Sequence, residues 1–262
     1  MDYTKLNCPK FPADEDAMIN STRIRVGRNF AEYPLGSAVT RQQRKEVEAK
    51  VVAALSKFTG ELKGKYYSLG NLTPEEKKQL TDDHFLFKGN DKYLQSAFLE
   101  GDWPEARGIF HNDNKTFLVW VNEEDQLRII SMQPGSDIRQ VFERLSRGIA
   151  GIEKEAKFAQ DDHLGYITSC PTNLGTGLRA SVHIRLPKLG NKKEEFEAIA
   201  AKYNVQIRGA HGEHSETDDH VYDISNLRRL GLSEVALVQD MYNGVKAMIQ
   251  SCLLYTSDAA DE

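Results

Sequence analysis

The stretch "GIFHNDNKTFLVWVNEEDQLRIISMQP", residues 108–134, limits the fold more than any other part of the chain. Short apolar runs are separated by the polar, turn-forming segments "NDN" and "NEED". Two or three strands joined by such tight turns pair antiparallel, because a parallel pair needs a long crossover. "NSTRIRVGRNF" alternates, with Thr22, Ile24 and Val26 on one side and Arg23 and Arg25 on the other, which predicts another strand. "LGYITSCPTN", "ASVHIRLP", "VQIRGA" and "VYDISN" also read as strands. Helices are predicted in "TRQQRKEVEAKVVAALSKF", capped by Thr40 with Val47, Val51 and Leu55 at helical spacing, and in "TPEEKKQLTDDHF", where Thr73, Pro74 and Glu76 form a capping box. Three more follow: "SDIRQVFERLSRGIAGIEKEA" capped by Ser136, "KKEEFEAIAAKYN", and "SEVALVQDMYNGVKAMI" capped by Ser233. The predicted class is α+β, one large antiparallel β-sheet flanked by α-helices.

The 262 residues suffice for a substantial core. No clear linker is visible, so residues 21–250 read as one domain after an irregular lead-in at 1–20. Residues 251–262, with the sequence "CLLYTSDAADE" from Cys252, read as an adapter-derived, non-native tail. No apolar run reaches 18 residues and no signal-peptide core is present, which predicts no membrane partner. Cys8, Cys170 and Cys252 lie far apart, with neither zinc spacing nor a disulfide ladder, which points to the cytoplasm. A net charge of −5 argues against a nucleic-acid partner.

Arginines recur at strands or strand mouths: Arg23 and Arg25, Arg128, Arg179, and Arg208. Singly, each is an ordinary surface residue. Gathered on one face they would repel one another, and only a polyanion such as a triphosphate would reconcile them, through paired guanidinium–phosphate hydrogen bonds. "NLGTGLR" is neither a P-loop nor a dinucleotide fingerprint; a tight turn entering a strand explains it. Glu123, Glu124 and Asp125 crowd a hairpin turn, and Glu213 sits in the polar segment "HGEHSETDDH", a mobile loop by composition. These acids are either solvated turn residues or carboxylates that hold a cation. Cys170 is either a buried apolar thiol or a thiolate favoured by cationic neighbours. His84, His183 and His214 lack metal-ligand spacing, and Trp103 and Trp120 read as core.

Together, "STRIRVGRN", "DDHFLFK", "RGIFHNDNKTFLVWVNEEDQLRIISMQ", "CPTNLGTGLRASVHIRLPKL", "RGAHGEHSE" and "VYDISNLRRLG" resemble the phosphagen kinases, the ATP:guanidino phosphotransferases, and most closely those that act on arginine. The resemblance runs from about Asn20 to Gln250. It implies the guanidino-kinase catalytic fold, of the glutamine-synthetase type, and reversible transfer of the ATP γ-phosphoryl group to a guanidino nitrogen for energy buffering. By resemblance, Arg23, Arg25, Arg128, Arg179 and Arg208 grip the phosphates. Ser21, His84, Ser181, His183 and Asp223 surround the ribose and adenine. Glu124 and Glu213 clamp the guanidinium, with Cys170 beside it as a positioning thiolate. The loop with Gly209, His211, Gly212 and His214 closes over the ligands. Mg²⁺ arrives with ATP or ADP, held by phosphate and water with no direct protein ligand, Glu123 or Asp125 lying no nearer than its outer sphere. The resemblance sets the expectation that the family's N-terminal helical domain is missing here and that this domain completes the substrate pocket. His211 stands where many arginine-specific members carry another arginine, while the carboxylate at Glu213 favours arginine or a related guanidino compound. The alternatives are a bacterial-type protein-arginine kinase and an inactive ATP-binding fragment.

Overall fold

Alternation along "NSTRIRVGR" becomes strand β1 (Ile19–Arg28), in which Thr22, Ile24, Val26 and Arg28 are all fully buried. The computed structural model describes residues 2–83, 85–87, 89, 91–209 and 220–257. A short helix α1 (Ala13–Asp16) precedes β1. Then come α2 (Arg41–Leu55), β2 (Gly64–Ser68), α3 (Pro74–Asp82), α4 (Lys92–Ser96), β3 (Gly108–Asn112), β4 (Phe117–Val121), β5 (Leu127–Pro134) and α5 (Ile138–Glu153). The chain continues through β6 (Gln160–Asp161), β7 (Gly165–Tyr166), β8 (Leu178–Arg185), α6 (Lys193–Lys202), β9 (Val205–Gly209), β10 (Val221–Asn226) and α7 (Glu234–Ser257). Eight strands form one sheet in the order β2-β3-β4-β5-β1-β8-β10-β9, and β6 and β7 form a separate ladder. The pairs β2/β3, β3/β4, β4/β5, β8/β10 and β10/β9 are antiparallel; for β3/β4 and β4/β5 the tight turns require it.

The chain divides into two compact units. One comprises Met1–Ile24, Met132–Glu143 and Leu178–Glu262; the other comprises Arg25–Ser131 and Arg144–Gly177. In the second unit, Val47, Val51 and Leu55 of α2 are buried at the spacing of one helical face. Ile109, Phe110, Phe117, Val119, Val121, Leu127 and Ile129 are buried on the strands. Phe58 packs against Phe110 and Phe117, its ring centroid about 6 Å from each. In the first unit, Ala180, Val182, Ile184 and Ile224 are fully buried along with Leu237, Met241 and Val245 of α7. Among the described residues, no helix is long and apolar enough to cross a membrane.

The caps at Thr40 and Thr73 are full capping boxes, closed by Gln43 and Glu76. Ser233 caps α7 by accepting from the Ala236 N–H at 3.2 Å. The expected cap at Ser136 is corrected. Asp137 accepts from the Gln140 N–H at 3.0 Å, whereas the Ser136 hydroxyl bonds to Asp16. "LGYITSCPTN" is also corrected, because only Gly165–Tyr166 pairs as a strand. Asp161 takes the N–H groups of His163 and Leu164 into a turn, and Pro171 cannot donate to a ladder. Trp103 and Trp120 are half-buried instead of core, with Arg107 and Arg128 stacked on their rings at 5.5 and 5.3 Å. Strand β2 and helix α4 carry no strong periodicity, so the sequence does not announce them. α7 runs on through Ser257, with Ser251 bonded to Glu195 and Cys252 buried.

Gly148 on α5 faces the Phe117 ring so closely that an added Cβ would lie 2.3 Å from Cζ. Gly148→Ala is therefore expected to destabilise the fold by about 1–3 kcal/mol, read as a lower urea midpoint at unchanged m-value.

Candidate active site

The β4–β5 hairpin lifts its acids out of the sheet by a left-handed residue. Asn122 has φ +57, a conformation that asparagine tolerates better than most side chains. Its side-chain amide donates to the carbonyls of Arg44 at 3.0 Å and Ala106 at 2.7 Å, which anchors the turn. Glu123 and Glu124 then project beside Arg128, whose Nη2 lies 3.0 and 3.1 Å from their carboxylates. Trp120 pairs directly across from Arg128 and backs the guanidinium. Burial pushes the Glu124 carboxyl above the usual carboxylate range; Arg128 opposes that, and Asp125 and Glu123 reinforce it. A cleft beside the turn is lined by Asn29, Gly36, Val39, Glu123, Glu124 and Ser169.

Cys170 opens a short 3₁₀ turn, Pro171–Asn173, in the same unit. Its Sγ lies 3.0 Å from the Thr172 hydroxyl, and its carbonyl accepts from Thr168 Oγ1 at 2.9 Å. The chain then turns through Gly175 and Gly177, both at positive φ. At Gly177 a Cβ would sit 2.9 Å from the Gly27 carbonyl oxygen, so that position needs glycine for space as well as for backbone freedom. Arg28 is fully buried beneath this turn. It donates to the carbonyls of Gly27 at 2.8 Å and Thr176 at 2.7 Å, and its guanidinium lies 3.4 Å from the Tyr166 ring centroid. Sequence reasoning missed Arg28. The available signal was its parity: it falls on the same face of β1 as Thr22, Ile24 and Val26.

In the first unit, alternation along β8 sets Arg179, Ser181 and His183 opposite the buried Ala180, Val182 and Ile184. Register places Asp223 across from His183 on one side and Arg208 on the other, and Ser225 across from Ser181. Arg179 Nη2 donates to Asp223 Oδ2 at 2.8 Å, and His183 Nε2 lies 3.8 Å from the same oxygen. Burial opposes ionisation of Asp223, but His183 and Arg179 outweigh it and hold the carboxyl below the usual range. A carboxyl lowered on folding adds stability above its ordinary titration range and loses it as the pH falls through the folded value. Arg208 donates to Gln206 at 3.1 Å. Ser21, Arg23 and Arg25 are half-buried on β1, on the face away from Ile24 and Val26. Gly209 ends β9, paired with Tyr222. His84, His211, Gly212, Glu213 and His214 lie outside the described residues, as does most of the expected lid loop.

Residues 46–251 match the family model of the ATP:guanido phosphotransferase C-terminal catalytic domain. This chain belongs to that family. It is 55% identical over 235 residues to an arginine kinase of Anthopleura japonica, covering 88% of this chain and 33% of that one. It is 53% identical over 236 residues to arginine kinase Lit v 2 of Penaeus vannamei, covering 90% and 66%. The chain thus spans between a third and two thirds of the length of these two relatives. A lombricine kinase crystal structure superimposes with a TM-score of 0.92 at 42% identity, covering 98% of this chain and 71% of that one. The duplicated taurocyamine kinase of Schistosoma mansoni, with bound transition-state-analogue components, gives 0.89 at 44% identity, covering 96% and 34%.

The three cysteines are thiols, none in a disulfide, and they differ sharply in access. Cys8 and Cys252 are buried, and burial pushes the Cys8 thiol up to about 12, whereas Cys170 is partly exposed. Under native conditions at neutral pH, iodoacetamide is expected to label Cys170 about tenfold or more faster than either other thiol, measured by peptide mass spectrometry.

Proposed function

We propose that this chain transfers the ATP γ-phosphoryl group to the guanidino nitrogen of arginine or a closely related compound. The observation that carries the reading is the β4–β5 hairpin: a half-buried carboxylate, Glu124, already accepts a hydrogen bond from a guanidinium, that of Arg128, at 3.1 Å. A socket that suits one guanidinium suits another. The more than 50% identity to proteins named arginine kinase supports arginine as the acceptor.

In this reading Arg23, Arg25, Arg128, Arg179 and Arg208 supply guanidinium groups to the phosphates, where bidentate hydrogen bonds neutralise charge on the transferring group. Ser21, His84, Ser181, His183 and Asp223 hold the nucleoside, and Asp223 also keeps Arg179 extended from β8. Glu124 and Glu213 clamp the acceptor, with Cys170 positioning it and the loop from Gly209 through His214 closing. The new N–P bond forms as the bond from Pγ to the β,γ-bridging oxygen breaks, and ADP leaves. A guanidinium with a pKa above ~12 must lose a proton in the process, and Glu124 or Glu213 accepts it before passing it to water. Transfer of this kind asks mainly for alignment and charge neutralisation.

Mg²⁺ is the cation expected with the nucleotide. Its expected place is on the phosphate oxygens and water, since Mg²⁺ commonly binds through substrate phosphates and keeps several waters. It would supply further charge neutralisation there. Glu123, which also pairs with Arg128, is the carboxylate this hairpin can offer to its waters, since Asp125 is buried and held by Asn29 and Ser169. Three thiols without a disulfide are consistent with a cytoplasmic setting.

The test is ADP release from Mg-ATP with arginine, creatine, taurocyamine, lombricine or a denatured protein as acceptor. Arginine or a close analogue is expected to support turnover. Phosphorylation of protein alone would mark a bacterial-type protein-arginine kinase, and thermal stabilisation by ATP without turnover would mark a binding fragment. Glu124→Gln should lower kcat by about 10²–10⁴-fold. Because the folded state raises the Glu124 pKa, its contribution to stability is present at low pH and lost as the pH rises through the folded value. The same substitution should therefore leave Tm at pH 7 unchanged or higher.

A further inference from the structure

The hairpin with Glu124 and the loop with Cys170 are far apart in sequence, yet one buried carboxylate touches both. Asp125 is 4% exposed. Its Oδ1 accepts from the Ser169 backbone N–H at 2.7 Å and from the Asn29 side-chain amide at 2.8 Å. Asn29 completes a bracket: its Oδ1 accepts from the Gln126 N–H at 2.8 Å, and its amide also donates to the Ile167 carbonyl at 3.0 Å. Asp125 directly follows Glu124, and Ser169 directly precedes Cys170. The other oxygen of Asp125 is packed against β1: a Cβ at Gly27 would lie 2.6 Å from Oδ2. A buried carboxylate held in this way is costly to remove and has little room to move.

We propose that Asp125 is a positioning residue that locks the Glu124 hairpin and the Cys170 loop into one frame, with Asn29 as its bracket and Gly27 as the space that admits it. The proposal rests on the reading of Glu124 and Cys170 as acceptor-facing groups. It gives Asp125 a role of its own: a tether between two loops, where its sequence position alone suggested a bystander to the metal.

Three variants test it. Asp125→Ala removes the tether. Asp125→Asn keeps an acceptor oxygen for the Ser169 N–H. Gly27→Ala leaves Asp125 in place but displaces its carboxylate, so the tether is probed even if Asp125→Ala does not fold. Each is assayed for kcat, for the KM of ATP and of the guanidino acceptor, for the iodoacetamide labelling rate of Cys170, and for its urea midpoint. Asp125→Ala and Gly27→Ala are expected to lower kcat about a hundredfold, the cost of misplacing reacting groups by an ångström or so. Cys170 labelling should speed up about tenfold as the loop opens more readily. The KM of ATP should stay near its wild-type value, and Asp125→Asn should recover most of kcat and the slow labelling. A drop in the urea midpoint with wild-type kcat and labelling per folded molecule would overturn the proposal. So would failure of Asp125→Asn to restore either quantity. Absence of turnover in the wild type on every guanidino compound would instead sink the proposed activity, and the labelling arm would still decide whether the tether exists.

Discussion

A charge that leaves water must find its partners inside the fold, and this constraint shapes the second unit more than any single apolar contact. Arg28, Arg107, Arg144 and Asp125 are all nearly or fully buried there. Each finds partners among groups distant in sequence or among nearby carbonyls. Arg107 meets Asp102 at 2.9 Å, and Arg44 meets the same carboxylate at the same distance. Arg144 takes Glu61 at 2.6 Å. Arg28 pins the glycine turn, and Asp125 pins the residue before Cys170. Leaving any of these groups unpaired would cost several kcal/mol, so the loops have little freedom to be elsewhere.

The same logic divides labour within the candidate site. The sheet supplies direction: alternation decides which side chains share a face, and antiparallel register decides which of them are neighbours. His183, Asp223 and Arg208 become a row on β8, β10 and β9 for that reason alone. The loops supply chemistry, and a second layer of hydrogen bonds holds them still. Asn122 bends the acidic turn outward, Arg28 stiffens the glycine turn, and the Asn29–Asp125 pair ties hairpin to thiol. A reaction that depends on alignment gains from such stiffness, because little ordering is left to do when the ligands arrive.

Two arginines expected to meet phosphate already have carboxylate partners on their own units: Arg128 with Glu123 and Glu124, Arg179 with Asp223. Such pairs limit the self-repulsion that a cluster of guanidinium groups would otherwise suffer. They also link the proposed nucleotide and acceptor groups chemically, since Arg128 and Glu124 each serve as the other's partner.

Much of this was legible in the sequence. Period-two alternation and short polar turns announce antiparallel strands, capping boxes announce α2 and α3, and quoted motifs announce the family, because these are local signals of backbone preference and side-chain type. The face carrying Arg23 and Arg25 was legible for the same reason. The cap of α5 was not, since Ser136 and Asp137 are equally good local caps and only the presence of Asp16 draws Ser136 away. Nor was the fate of "LGYITSCPTN", whose apolar residues look like a strand until Asp161 and Pro171 break the pairing. The roles of Arg28 and Asp125 lay beyond sequence altogether. A lone arginine or aspartate looks like surface until folding brings a carbonyl from 148 positions away, or an N–H from 44, within hydrogen-bond reach. The sequence by itself determined most of the strands, their faces and the kind of chemistry on offer; tertiary structure alone decided which charges are buried and what they hold in place, because desolvation is a property of the packed fold and not of any one residue.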